Sequence, residues 1–180
     1  LTLLLSMSAL GAAPAFDPST RAPSCQGEDL ATCTARCEAG DPGSCEQQGL
    51  LLLGGWGTVR APSERPVHAR DAFRRGCELG AAAAQAHQVP QRRISGGASD
   101  PVLGTVLAGQ LSCYRGAQLL FQGAERLPRS PVRALQLATT GCDLGLASAC
   151  EQAWNHLLSG STPDREARAL PFGEASCTLR

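Results

Sequence analysis

Apolar residues recur along this chain with helical spacing, in blocks separated by Gly and Pro. From Cys45, the run Glu46-Gln47-Gln48-Gly49-Leu50-Leu51-Leu52-Leu53 places its greasy residues on one side of a helix that Gly54-Gly55 ends. A Pro-bearing loop follows. A second helix is predicted through Ala69, Ala72 and Phe73 to Cys77, and a counterpart through Ala134, Leu135 and Leu137 to Cys142. Pro66 and Pro131 each lie eleven residues before that Cys, and Ser130-Pro131 suits a helix cap followed by a first turn. Gly80 and Gly145 are expected to stop the second helices, because Gly tolerates the left-handed conformation that ends helices. Each unit is then a helical hairpin with small residues on its facing sides. One hairpin cannot bury its own apolar side, so hairpins must stack.

The blocks share a register. Cys37-Glu38-Ala39-Gly40, Cys77-Glu78-Leu79-Gly80 and Cys142-Asp143-Leu144-Gly145 all read Cys, acid, small or apolar residue, Gly. A second Cys follows eight positions after the first in two of them, at Cys45 and Cys150. Ten residues after the second Cys comes a Gly: Gly55 after Cys45, Gly123 after Cys113, Gly160 after Cys150. Eight residues before the first Cys comes an Ala: Ala69, Ala134 and, before Cys177, Ala169. A Cys pair in this register would join the end of one hairpin's second helix to the start of the next hairpin's first helix. The chain-entropy model assigns about 2.5 to 3 kcal/mol to closing a loop of that size.

These residues resemble the Sel-one-like repeat, a relative of the tetratricopeptide repeat, in its cysteine-rich secreted form typified by the Helicobacter cysteine-rich proteins. The resemblance covers Cys37 to Cys177. It implies an all-α fold: a right-handed α-solenoid of two to three helix-turn-helix hairpins of about thirty-six residues, stapled by disulfides. The staples of that family join Cys residues separated by seven others. The expected bridges here are Cys25–Cys33, Cys37–Cys45, Cys77–Cys113 and Cys142–Cys150.

The chain departs from the pattern in three places. Gln85 stands where the partner of Cys77 belongs, which implies an insertion of roughly 28 residues within Ala81 to Gly109. Val89-Pro90, Gly96-Gly97 and Asp100-Pro101 read as loop there, with Ala81 to Ala86 a candidate helix extension. Trp154 occupies the place of Gly49 and Ala117, and would obstruct tight packing unless it points outward. Cys177 opens a staple whose partner would fall near position 185, beyond Arg180. The last repeat is therefore expected to be cut short, with Cys177 free or paired between molecules. The expected organisation is a signal over 1–15, a linker and capping helix over 16–36, a first repeat region over 37–80, an insertion or loop over 81–109, and a second and third repeat region over 110–177.

Composition adds the compartment. Nine Cys are too many for a typical reduced cytosolic protein. Leu1 to Ala15 is uncharged and mostly apolar, and Ala13-Pro14-Ala15 fits a cleavage site, so a secretory signal is expected over a short buried helix. The chain should be exported, to periplasm or medium, with no stable membrane insertion once the signal is removed. A formal net charge of zero excludes a general attraction to nucleic acid. Aromatics make up only 4%, so the core must be built from Leu, Ala, Val and cystine.

Candidate chemistry is sparse. Cys25, Cys33, Cys37 and Cys45 could hold zinc, but no tight CxxC pair exists and export favours oxidation. Some relatives carry a β-lactamase or penicillin-binding label. The serine mechanism needs a Lys in S-x-x-K, and the chain has no Lys. His68, His87 and His156 are scattered, without H-x-H or H-x-x-x-H spacing. Arg70, Arg74 and Arg75 share a helix with Asp71 and Glu78 and read as a solvated face; Arg92-Arg93 read as loop. No catalytic, cofactor-binding or metal residue is predicted, and no cofactor is expected. The expected function is binding of a protein, peptide or other ligand on a concave helical surface lined by first helices. The alternative, by resemblance only, is a β-lactamase-like or penicillin/peptidoglycan-fragment-binding protein. A third reading is a structural part of a larger array.

Overall fold

A disulfide between residues eight apart cannot form along a straight helix. Eight residues of α-helix rise about 12 Å, whereas bridged Cα atoms lie within about 7 Å of each other. The chain must therefore reverse between Cys37 and Cys45 and between Cys142 and Cys150. The computed structural model of this chain describes residues 25, 27, 29–57, 60–89 and 100–180, and it shows both reversals. The predicted signal and Arg92-Arg93 lie outside the described residues.

The described residues form seven helices: α1 (Leu30–Glu38), α2 (Pro42–Gly54), α3 (Arg65–Ala86), α4 (Pro101–Gln122), α5 (Pro131–Asp143), α6 (Ala147–Ser159) and α7 (Arg165–Leu179). Each packs on the next helix along the chain and on the next but one, and on no other. That is the contact pattern of a stack, in which stability is shared only between neighbours. The hairpins are α2–α3, α4–α5 and α6–α7, and α1 leads them. Four disulfides staple the stack: Cys25–Cys33 before and within α1, Cys37–Cys45 between α1 and α2, Cys77–Cys113 between α3 and α4, and Cys142–Cys150 between α5 and α6. Cys177 is free and exposed.

The Cys-acid-x-Gly tetrad is a helix stop in two of its three copies. Gly40 and Gly145 take φ of 102° and 95°. Gly40 N–H donates to Cys37 O and Asp41 N–H to Arg36 O; Gly145 N–H donates to Cys142 O and Leu146 N–H to Gly141 O. These paired backward bonds satisfy the last carbonyls of α1 and α5. Asp41 then caps α2, its carboxylate accepting from Gly43 and Ser44 N–H.

The third copy departs from expectation. α3 runs through Gly80 to Ala86, because Ala81 to Ala84 are strong helix formers and the partner of Cys77 is 36 residues away, so no local reversal is demanded. The same stop occurs eight residues later. Gln88 takes φ 49°, and Gln88 and Val89 N–H donate to Gln85 O and Ala84 O. Asp100-Pro101, read from the sequence as loop, is the cap and first turn of α4: the Asp100 carboxylate accepts from Val102 and Leu103 N–H. The segment read from the sequence as an insertion thus supplies the end of α3 and the start of α4. Ser130 occupies the cap position of α5 without a side-chain bond to the helix.

Small residues set how closely the helices approach. Ala69, Ala134 and Ala169 are all fully buried, and Gly55, Gly123 and Gly160 are the C-caps of α2, α4 and α6. Beside two staples, the residue before the second-helix Cys is Gly, since a Cβ on Gly141 would lie 2.9 Å from Ala149 Cβ and one on Gly76 would strike Ser112. Farther along α3, Gly80 lies against Gly109, where a Cβ on Gly109 would come within 2.5 Å of Gly80 Cα.

One packing layer is exchanged along the stack. Four residues after each first-helix Cys stand Gly49, Ala117 and Trp154; four before each second-helix Cys stand Phe73, Ala138 and Gly173. A Cβ on Gly49 would meet the Phe73 ring at 2.5 Å, and one on Gly173 would meet the Trp154 ring at 3.3 Å. Small faces large in the first hairpin, Ala joins Ala in one buried cluster in the second, and large faces small in the third. Trp154 does not obstruct α6 because Gly173 on α7 leaves room for its ring.

Among the described residues the sole β feature is an isolated bridge between Ala124 and Leu127 in the α4–α5 turn. The β-lactamase-like alternative is therefore corrected. That expectation came with the resemblance, and the sheet on which such a catalytic domain is built has no counterpart in this helical stack.

Candidate functional site

α1, α3 and α5 each carry the first Cys of a staple to the helix that follows, so α1 takes the place that the second helices α3 and α5 take in their hairpins. α3 packs against both of the others and leaves a groove on each side. Between α3 and α5 lies a cavity of about 770 Å³. Cys77, Ala81, Leu120 and Leu137 give it an apolar floor, while Arg70, Arg74, Arg133, Gln85, Gln136 and Thr140 stand at its sides. Between α1 and α3 lies a more polar cavity of about 460 Å³, with Leu30, Leu52, Thr34, Gln48, Glu38, Arg60, His68 and Arg75 in its wall. Asp71, Arg74 and Glu78 border both grooves, so the two share one charged ridge on α3.

The sequence reading placed the binding surface on first helices. These grooves are instead walled chiefly by second helices, with only Leu120 of α4 and Gln48 and Leu52 of α2 reaching in. The cause lies in the staples and small residues that draw first helices against second ones. A third cavity, of about 260 Å³ and mainly apolar, lies among Gly40, Leu79, Ala83, His87, Val102 and Thr105, beside the extended ends of α3 and α4.

The charged residues of α3 divide by role. Arg70 donates from Nε and one terminal nitrogen to Asp71 Oδ1, and Arg74 pairs with Glu78 at 2.6 Å. Arg74 and Glu78 are both more than half exposed, so that pair contributes little to stability and is free to exchange partners. Arg75 is structural: it donates to Cys37 O and Glu38 O, placing a cation on the C-terminal carbonyls of α1. Arg133 is exposed and makes no ion pair or hydrogen bond among the described residues.

The groups with displaced titration lie outside the grooves. Burial raises the pKa of Glu46, against the opposing effect of Arg115, which donates to it at 2.9 Å across α2 and α4. Burial also raises Asp143 and lowers His156, whose ring lies 4.2 Å from that of Phe121. A hydrogen bond from Thr32 lowers Asp29, the cap of α1.

The three His residues stay apart. His68 contacts Arg60, His87 caps α3 and His156 lies against Phe121. Cys25, Cys33, Cys37 and Cys45 are consumed by two disulfides, which removes them as the zinc ligands considered above. Among the described residues no group of three or more His, Cys, Asp or Glu could hold a metal ion, and no helix is long and apolar enough to cross a membrane. The grooves present an apolar floor with amide, hydroxyl, guanidinium and carboxylate groups around it.

The sequence reading missed the groove residues Gln85, Gln136, Thr140 and Arg133. Thr140 and Gln136 lie two and six residues before Cys142 on the face away from Ala134 and Ala138, so the register could have flagged them. Arg133 carried no such signal. In comparisons with known proteins, no family model matches this chain and no curated protein matches it.

Proposed function

We propose that this chain is an exported scaffold of the cysteine-rich Sel-one-like repeat type, a right-handed solenoid that holds an extended segment of another protein across α1, α3 and α5. One observation carries the reading: two grooves lie side by side on a single face and share the Asp71, Arg74 and Glu78 ridge. Two open grooves that run along the helices suit an extended chain better than a compact metabolite. The α3–α5 cavity, at about 770 Å³, is of a size that buries several side chains. Export is supported by four disulfides, which persist in oxidising compartments.

Selection of a displayed random-peptide library on the purified, oxidised chain tests this. Enriched peptides should bind the wild-type chain and the Gln118→Arg control, whose site on α4 lines neither groove. They should lose binding to Ala82→Arg/Thr140→Arg, which fills the α3–α5 groove from its exposed and half-buried edges. No enrichment, or equal binding to both variants, would sink the proposal.

A further inference from the structure

The α3–α5 groove is uneven in charge along its length. Its two acids, Asp71 and Glu78, are each engaged by an Arg of the same helix, Arg70 and Arg74. The third guanidinium, Arg133, faces them from the first turn of α5, where no acidic residue stands. The groove therefore carries one uncompensated positive charge at the end where α5 begins. Toward its other end the Arg74–Glu78 pair is self-compensated, and Gln85 and Thr140 add only amide and hydroxyl groups. Between them lies the apolar floor of Ala81, Leu120 and Leu137.

Resting on the proposed peptide-holding function, we propose that this groove selects an extended segment that seats an aliphatic side chain on the Leu120 and Leu137 floor and carries an acidic side chain beside it, meeting Arg133. A basic residue at that place meets like charge, and an amide forfeits the charge-assisted bond. The groove runs along α3 from Arg70 to Gln85, about 22 Å at the helical rise of 1.5 Å per residue. That accommodates roughly six extended residues. The ligand class is thus a short acidic-aliphatic segment of a protein chain. An anionic small molecule would satisfy Arg133 but leave the apolar floor empty.

The test is a panel of fluorescein-labelled hexapeptides with a central Leu, carrying Asp, Asn or Lys at each flanking position in turn, titrated onto the oxidised full chain. The Asp series should bind best at one flanking position, by about three- to fivefold over Asn, as expected for a half-exposed ion pair. The preference should shrink as salt rises. Arg133→Glu, an exposed substitution that leaves the core untouched, should turn the order toward Lys, while Arg133→Gln should level it. Leu-containing peptides that bind with no flanking preference, or a preference that survives Arg133→Glu, would overturn the charge assignment and leave the groove reading standing. Binding of free glutamate or acetate as tightly as the Asp peptides would overturn the acidic-aliphatic class. If no hexapeptide binds at all, the proposed function falls together with this inference.

Discussion

The α5–α6 and α3–α4 junctions carry the same disulfide, with Cα atoms 4.6 Å apart in both, yet they hold their helices by different means. At α5–α6 each Cys lies within the terminal turn of its helix. Gly145 in the left-handed region reverses the chain, and the staple locks a turn that is already tight. At α3–α4 the Cys lies mid-helix. Both helices run past it, and Gly80 against Gly109 keeps them together beyond the staple. In the first case local backbone conformation sets the crossing. In the second, packing between residues distant in sequence sets it, and the disulfide joins segments 36 residues apart. A tetrad of identical pattern thus serves as a stop or as a contact according to the residues on its C-terminal side.

The largest predicted difference lies in the staples themselves. Loop-closure entropy makes the 36-residue separation worth about 4 kcal/mol and the eight-residue one about 2.5 kcal/mol. Denaturant unfolding should therefore show Cys77→Ala/Cys113→Ala losing more stability than Cys142→Ala/Cys150→Ala. Equal losses would mean that the extended helices hold the α3–α4 junction without help from the covalent link.

Much of the stack was legible because its constraints are local. The register of Cys45, Cys113 and Cys150 marked Gly55, Gly123 and Gly160, which are C-caps, and the Ala of the register, Ala69, Ala134 and Ala169, are all fully buried. The fate of Gly80 was not legible from its tetrad, since the stop at Gly40 or Gly145 is imposed by a bridge only eight residues long. The four Ala after Gly80 held the relevant signal. Trp154 could have been placed by pairing positions four before and four after the Cys residues, which exposes the exchange of Phe73 with Gly49 for Trp154 with Gly173. The grooves depend on how α3 and α5 lie side by side, a relation that no local spacing in the sequence carries.

Glycine substitutions probe the comparison on a smaller scale. In Gly80→Ala the new Cβ meets the backbone of Gly109, which cannot rotate away, so α3 and α4 must separate. A loss of about 2 to 3 kcal/mol is expected, in the range of core overpacking. Gly145→Ala places a Cβ in the left-handed region and should lose about 1 to 2 kcal/mol. Gln88→Gly goes the other way: Gln88 holds that conformation at the delayed stop of α3, and Gly should gain up to about 1 kcal/mol. Thermal or denaturant midpoints for the three variants check the set. A neutral Gly80→Ala would show that the two helices are not held by close approach.

The smallest effect concerns the anchor that ties α4 to α2, the Glu46–Arg115 pair. Burial raises the Glu46 carboxyl above its ordinary 4.5, more than Arg115 lowers it. The folded chain therefore binds this proton more tightly than the unfolded chain. The contribution to stability is fully present below pH 4.5, and it is lost as pH rises through the raised folded value. Glu46→Gln removes the titration while keeping a hydrogen-bond acceptor for the half-exposed Arg115. The stability of the wild type relative to Glu46→Gln should therefore climb as pH falls from neutrality toward 4.5, and level off below it. Paired unfolding curves at a series of pH values give that difference directly, with the other carboxylates cancelling between the two proteins. A difference that instead grows toward neutral pH would mean that attraction to Arg115 outweighs the cost of burying Glu46, and that α4 is held to α2 by charge pairing.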